Sequence, residues 1–492
     1  MAPFPPESLL LSRRTVWVIA SLAALLFVLT NLPWQLDDYD QAKQAFTSFE
    51  MIKEGHWLYQ TTPHERIATK PPLISWISAG LFSATRSWDL AWRLPSLLAA
   101  AVIAVLLYRR AALAYGIAAG AIALAAFSFN LFTPRLATLV RTDVPLTCII
   151  FLIGLSIWEN VRTNQTWSSR DRLMIFVLLT AGMLIKGPVI YAFLLPGIVV
   201  FQLCRRKTFG ASAWPGWWPW VVSLAIFLIW VAAGIRFVPG FYDQVVLREF
   251  MGRFGGDIHR SQPLFFYLPH LLHKFAPWSI LMIFLAIVSY QSGPRGKRAL
   301  SEMSPDILWL VCWALGGLVL MSLLPSKRVD RIFPVIPPLC LLLAGQIARI
   351  SSNEPLRSRV HRWSAASLVV AILFTSSYAF LKISSGYRNH RDALVKFGRE
   401  VRTEAAARHW RYEVIATMDE GMLLYLRKTH FVRPEGAVTA WNDGGLDALV
   451  VTAAEAPSLV EKLKDASISS IRSAEGKDSD SGYVLIWRGS GD

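Results

Sequence analysis

The chain has 492 residues, 54% of them hydrophobic and 17% charged, with a formal net charge of +16 at pH 7. That much apolar surface is more than one soluble core can hide, so the composition excludes an ordinary soluble domain and requires contact with lipid. The basic balance does not point to nucleic acid, because Lys and Arg fall in short clusters between hydrophobic runs, the pattern that orients a polytopic membrane protein.

The first run, "TVWVIASLAALLFVLTNLPW" from Thr15, follows "SRR" but is too long for a signal-peptide core and lacks a small-residue cleavage site, so it reads as a retained anchor. A bilayer crossing takes about 20 apolar residues. Spans are predicted to start near Thr15, Trp92, Gly116, Val144, Leu173, Val189, Trp217, Leu264, Ile307, Phe333 and Trp363. About 11–13 transmembrane helices result. Threaded this way, the basic clusters at Ser12–Arg14, Arg109–Arg110, Cys204–Lys207, Gly293–Arg298 and Arg357–Arg362 all face the cytoplasm. The N-terminus is then cytoplasmic, and the remaining loops are outside. Cys148, Cys204, Cys312 and Cys340 lie in or at the ends of apolar runs and read as small hydrophobes, not as a disulfide framework or metal cluster.

The first outside loop, about residues 35–91, contains two short helical patterns. "DQAKQAFTSFEMIKE", Asp40 to Glu54, places Ala42, Ala45, Phe46, Phe49 and Ile52 on one side. The second, Pro71 to about Ser83, opens on prolines where a missing N–H is harmless and is too short to span. Both are expected to lie at the membrane interface. Lys70 then stands at phosphate-headgroup depth, beside the positive end of the second helix, a combination suited to a lipid phosphate.

Outside loops elsewhere hold Arg135, Arg141, Asp143, Lys186, "REFMGRFGGDIHR" (Arg248–Arg260) and "SKRVDR" (Ser326–Arg331). Positive charge on the translocated face runs against the orientation rule and points to an anionic ligand at the lipid–water boundary. The plainer alternatives are solvated loop residues for the group as a whole, snorkelling for Lys186, and a helix N-cap for Asp143 just before Val144 and Pro145. After Lys382 the aliphatic runs shorten and "SSGYRNHRD" reads as a linker. Residues 1–385 are assigned to the transmembrane body and 386–492 to a small α/β domain outside, with helices over 392–409, 420–427 and 456–466 and strands over 412–418, 446–453 and 482–489.

In this order, "DYDQAKQAFTSFEMIKEGHWL", "KPPLISW", "AWRLPSLLAA", "RTDVPL", "GMLIKGPVIY", "HRSQPLFFYLPHLL", "FAPW" and "LLPSKRVDRIFPVIPPL" resemble the GT-C class of integral-membrane glycosyltransferases. The resemblance is to the branch of the bacterial lipid A aminoarabinose transferases and the protein O-mannosyltransferases. It implies a mainly α, polytopic fold and transfer of a hexosyl or pentosyl group from a polyprenyl-phosphate sugar to an extracytoplasmic acceptor: a lipid A-like glycolipid, another envelope glycan or a protein. Partners are then that donor, the acceptor and membrane lipid, without nucleic acid. The implied location is the bacterial inner membrane, with the active site and C-terminal domain outside.

Residue by residue, the resemblance makes Asp40 and Asp143 the catalytic carboxylates, with Asp37 and Asp38 read as capping or solvated. Donor phosphate falls to Lys70, Arg141, Lys186, Lys327 and Arg328, and a substrate loop to His259 and Arg260. The lipid A enzymes carry a glutamate before the lysine of "KPP", where this chain has Thr69; no metal and no cofactor are therefore expected. A transporter or flippase of lipid-linked substrate is the rival reading, but it predicts charges and Gly/Pro breaks mid-span in related halves, whereas these charges gather at outside boundaries.

Overall fold

The structure, a computed structural model, describes residues 12–36, 38–204, 212–252, 261–292, 303–417, 419–473 and 482–489. Its α-helices are α1 (Arg13–Leu29), α2 (Tyr39–Glu54), α3 (Leu73–Thr85), α4 (Trp88–Tyr115), α5 (Ile117–Ser128), α6 (Thr133–Leu136), α7 (Asp143–Thr163), α8 (Ser169–Lys186), α9 (Val189–Cys204) and α10 (Trp218–Phe237). They continue with α11 (Tyr267–Lys274), α12 (Trp278–Ser292), α13 (Pro305–Leu323), α14 (Ile336–Ser351), α15 (Glu354–Arg388), α16 (Ala393–Ala407), α17 (Glu420–Leu426), α18 (Pro434–Asn442) and α19 (Ala456–Val460). Contacts divide the chain into two units, one of Met1–Thr30, Thr69–Ile74 and Arg93–Ala379, the other of Asn31–Ala68, Ser75–Trp92 and Phe380–Asp492.

Every predicted span start meets a helix, but the helices differ in kind. Among the described residues, 6 helices are long and apolar enough to cross a membrane, and 7 if the bent pair Leu264–Lys274 and Trp278–Gln291 counts as one. That pair turns by 99° at "FAP", where Pro277 interrupts the hydrogen-bond ladder. The span predicted from Gly116 is instead the 12-residue α5, about 18 Å long at the ordinary rise and buried almost throughout. Its alanines let other helices close over it. α8 opens on a capping box in which Ser168 and Asp171 satisfy each other's backbone, so its first turn is polar and only the rest is greasy.

Small residues bring the helices of the first unit together. A Cβ on Gly316 of α13 would stand 2.5 Å from the Gly197 nitrogen of α9, and one on Gly154 of α7 would meet the Trp313 ring at 2.2 Å. Backbones therefore touch, as in membrane bundles where packing rather than hydrophobic segregation holds helices together. Trp309 donates its indole N–H to the Gly154 carbonyl at 3.0 Å, filling the polar need of a buried ring. Cys148, Cys312 and Cys340 are buried, Cys204 is exposed, and all are free thiols. Large apolar side chains such as Leu203, Ile229 and Phe237 remain exposed on the helices, as a lipid-facing surface requires.

The second unit joins the first-loop helix α2 to the C-terminal segment. Its sheet has β1 (Tyr412–Val414), β2 (Ala448–Thr452), β3 (Ala466–Arg472) and β4 (Tyr483–Arg488), in the order β1-β2-β4-β3. β1 and β2 are parallel, whereas β4 runs antiparallel to both β2 and β3. β2 and β4 are buried along most of their length, hence their near-continuous apolar runs, and Trp441 packs with Leu449, Val451 and Ile486. Sequence patterning missed β3 and α18. β3 is an edge strand of serines with little buried face, "ASISSIR", so neither hydrophobicity nor a turn signal announces it. The supposed linker at 384–392 is helical as far as Arg388, because α15 continues past its apolar stretch.

Candidate active site

α7 begins with Asp143 and α8 ends with Lys186, and the two ends meet: Lys186 Nζ donates to Asp143 Oδ1 at 2.6 Å. Both side chains are largely buried. Lys186 is therefore not a snorkelling end, and Asp143 is not the cap. Thr142 occupies the N-cap position, without a side-chain cap, while Asp143 turns to the lysine. Gly187 ends α8 at φ +69°, a left-handed conformation beside the Phe227 ring that a side chain would oppose on both counts.

Two further cations act on Asp143 electrostatically, Lys70 and Arg141. Arg141 lies in the short stretch before α7, held by Ser96, whose hydroxyl lies within hydrogen-bonding distance of the Leu139 and Arg141 carbonyls at 2.8 and 3.3 Å. Its Nη1 donates to Asp330 Oδ2 at 2.9 Å. Asp330 stands in the first turn of a 3-10 helix, Val329–Val335, and also pairs with Arg135 at 3.5 Å. Arg135 is presented by α6, which Asn130 starts by accepting from the N–H groups of Phe132 and Thr133 at 2.8 and 2.9 Å. Lys274 lies close enough to interact with both Arg135 and Asp330. The result is a line of alternating charge: Lys186, Asp143, Arg141, Asp330, Arg135. With Lys70 and Lys274 beside it, these groups among the described residues number five cations and two carboxylates. Such an excess, mostly out of water, is suited to an anion such as a phosphate.

The other sequence-selected cations have different positions. Lys327 is buried and donates to the Gln262 carbonyl at 3.0 Å, and burial holds its ammonium pKa below the ordinary lysine range. Arg328 occupies the N-cap of the 3-10 helix, where its carbonyl accepts from Arg331 N at 3.1 Å. Arg331 closes the turn by donating to the Ser326 carbonyl at 2.7 Å. His259, Arg260 and Asp37 lie outside the described residues. Asp330 was not selected from sequence as a site residue, the one available signal being an acid inside the basic run "SKRVDR", and Arg135 was read only as one of the outside-loop cations that together point to an anionic ligand. Among the described residues no group of three or more His, Cys, Asp or Glu could hold a metal ion.

In the second unit, Asp38 caps α2 by accepting from Asp40 N at 3.0 Å, the capping role read for it. Asp40 follows in the first turn, partly buried. The entry to this helix is held by the C-terminal segment: Leu36 N donates to the Tyr425 hydroxyl at 2.6 Å, and a Cβ on Gly421 would stand 2.6 Å from the Leu36 carbonyl. At the other end of α2, Thr429 donates to Glu54 at 2.6 Å. Two carboxyls near α2 are buried. Glu50 is pushed up by burial, against hydrogen bonds from His56 and Thr61. Glu420 is pushed up to about 7 by burial, more than Lys43 and Arg66 bring it down; His64 Nε2 lies 3.8 Å away.

Comparison with known proteins agrees with this architecture. Residues 69–234 match the family described as dolichyl-phosphate-mannose-protein mannosyltransferase. An undecaprenyl phosphate-alpha-4-amino-4-deoxy-L-arabinose arabinosyl transferase of Shewanella sediminis is 26% identical over 390 residues, covering 75% of this chain and 68% of its own length. Its counterpart in Pseudomonas savastanoi is 27% identical, with 70% and 63% covered, so the chain spans about two thirds of the length of these relatives. The crystal structure of ArnT from Cupriavidus metallidurans bound to undecaprenyl phosphate superimposes with a TM-score of 0.67 at 17% identity, covering 96% of this chain and 98% of that one. The apo form of the same protein gives 0.63. Fold and sequence together are similar to those of integral-membrane glycosyltransferases of the GT-C class. Within that class, the chain resembles the aminoarabinose transferases.

Proposed function

We propose that this protein transfers a sugar from a polyprenyl-phosphate donor to a lipid, glycan or protein acceptor on the outer side of the bacterial cytoplasmic membrane. The observation that carries the reading is the cation-rich cluster around Asp143, in a chain whose relatives are named for an undecaprenyl-phosphate sugar. Breaking the anomeric C–O bond leaves its electron pair on the lipid phosphate, and that charge must be met by preorganised cations. Lys70, Arg141 and Lys186 are assigned this role, with Lys327 and Arg328 ordering the neighbouring turn. Asp143 holds Lys186 and keeps the cations from dispersing.

Asp40, which matches the family's first-loop aspartate, is assigned to the acceptor. With a hydroxyl acceptor it takes the proton as the new C–O bond forms. With an anionic phosphate acceptor no proton needs removing, and Asp40 stabilises the oxocarbenium-like sugar instead. In this reading the N-terminus is cytoplasmic, residues 386–492 lie outside, and the packing of α17 against α2 couples that segment to the helix bearing Asp40. Purified, lipid-reconstituted protein incubated with a panel of polyprenyl-phosphate sugars is expected to release free lipid phosphate with at least one of them. A reporter after Lys382 that reads as cytoplasmic would overturn the topology and, with it, the site.

A further inference from the structure

We infer that Asp330 is a positioning residue for donor phosphate, acting through Arg141; this rests on the proposed function above. Asp330 is buried, on a different element from either arginine it pairs with, and accepts a hydrogen bond from Arg141 Nη1 at 2.9 Å. Its second oxygen is buried, accepts no hydrogen bond, and has Arg135 at 3.5 Å. A carboxylate kept this far from water costs free energy unless the cations it faces need it.

The need follows from the neighbourhood. Arg141 has two carboxylates within electrostatic reach, Asp143 and Asp330. Asp143 is already bonded to Lys186 at 2.6 Å. An arginine drawn fully onto Asp143 would neutralise the charge meant for a ligand and compete with Lys186. Asp330 takes one Nη of Arg141 and so anchors the guanidinium between the two acids. The fork geometry of arginine makes this anchoring directional, which a lysine at 141 would not reproduce. Arg135 and Lys274, like charges set close together on other elements, are balanced by the same carboxylate. Asp330 thus fixes where positive charge stands without adding to it.

The test is a double-mutant cycle read by binding of undecaprenyl phosphate to the reconstituted full-length protein, with donor KM and kcat measured alongside. Asp330→Ala is expected to weaken undecaprenyl phosphate binding about tenfold and raise KM more than it lowers kcat, the loss of one charge-assisted hydrogen bond's worth of orientation. In an Arg141→Ala background the same substitution is expected to cost less than about twofold, because the residue it acts through is gone. Asp330→Asn keeps an acceptor for Nη1 and is expected to recover most of the binding, which also covers the case in which the alanine variant fails to fold. An equal loss from Asp330→Ala with and without Arg141, or an asparagine variant as poor as alanine, would overturn the inference. Wild-type protein that binds undecaprenyl phosphate but turns over no sugar donor would overturn the proposed transferase function and leave this cycle readable.

Discussion

The two units treat buried charge in opposite ways. In the membrane unit, Asp143 and Asp330 each face cations at 2.6 and 2.9 Å, and carboxylate and cation alternate along the cluster. In the unit holding α2, burial pushes the carboxyls of Glu50 and Glu420 toward the neutral form, outweighing His56 and Thr61 at the first and Lys43 and Arg66 at the second. The difference teaches what each is for: a buried carboxylate in ion-pair contact with cations arranges them, whereas one whose burial outweighs its partners reports on the packing that buries it.

The largest effect that would sharpen this contrast is at Asp40. Asp40→Asn preserves shape and removes charge, and is expected to lower turnover about a hundredfold to ten-thousandfold if it acts as base. Asp38→Asn, at the position where asparagine caps as well as aspartate, is expected to leave turnover nearly unchanged. Near-normal turnover in the first and none in the second would shift the assignment to Asp38.

Next comes the pairing itself. Lys186→Met strands Asp143 and is expected to cost about 3–5 kcal/mol of stability, seen as a lower unfolding midpoint, while Lys186→Met with Asp143→Leu recovers most of it. A double variant no better than the single would show that the pair is not the unit.

Glu420 tests the other side. Its carboxyl binds a proton more tightly folded than unfolded, so its contribution to stability is present below about pH 4.5 and is lost as pH rises through about 7. The full swing is about 3 kcal/mol. Hydrogen exchange of α17 is expected to quicken between pH 5 and 8 in the wild type, and Glu420→Gln to flatten that slope. An unchanged slope would place the titrating group elsewhere.

The smallest effect is at Lys70, where alanine is expected to remove one charge-assisted contact to donor phosphate, about 1.5–3 kcal/mol of binding. Unchanged donor affinity would remove Lys70 from the phosphate site.

Much of the fold was legible along the chain because its signals are local. A greasy run of sufficient length reads as a membrane helix wherever it lands, and α2 and α3 begin within a few residues of where aspartate and proline chemistry put them. The strands β2 and β4 were equally plain, being short, apolar and bounded by turns. What local pattern missed was geometry without a composition signal: the edge strand β3, the helical run through 384–388, and the short buried α5 inside what reads as a span.

For the site, residue types and motif order pointed to Asp40, Lys70, Asp143 and Lys186, since charges placed against apolar runs stand out in one dimension. Their pairing did not. Asp143 and Lys186 are 43 positions apart, and Arg141 and Asp330 are 189 apart. Hydrophobicity and charge belong to single residues, so the sequence by itself determined a lipid-embedded chain with cations at its boundaries. Which carboxylate holds which cation depends on backbone approach between helices, at Gly154, Gly197 and Gly316 among others, and on loops carried by those helices, so only the tertiary structure decided that Asp330, rather than a residue of the quoted motifs' expected site, anchors Arg141.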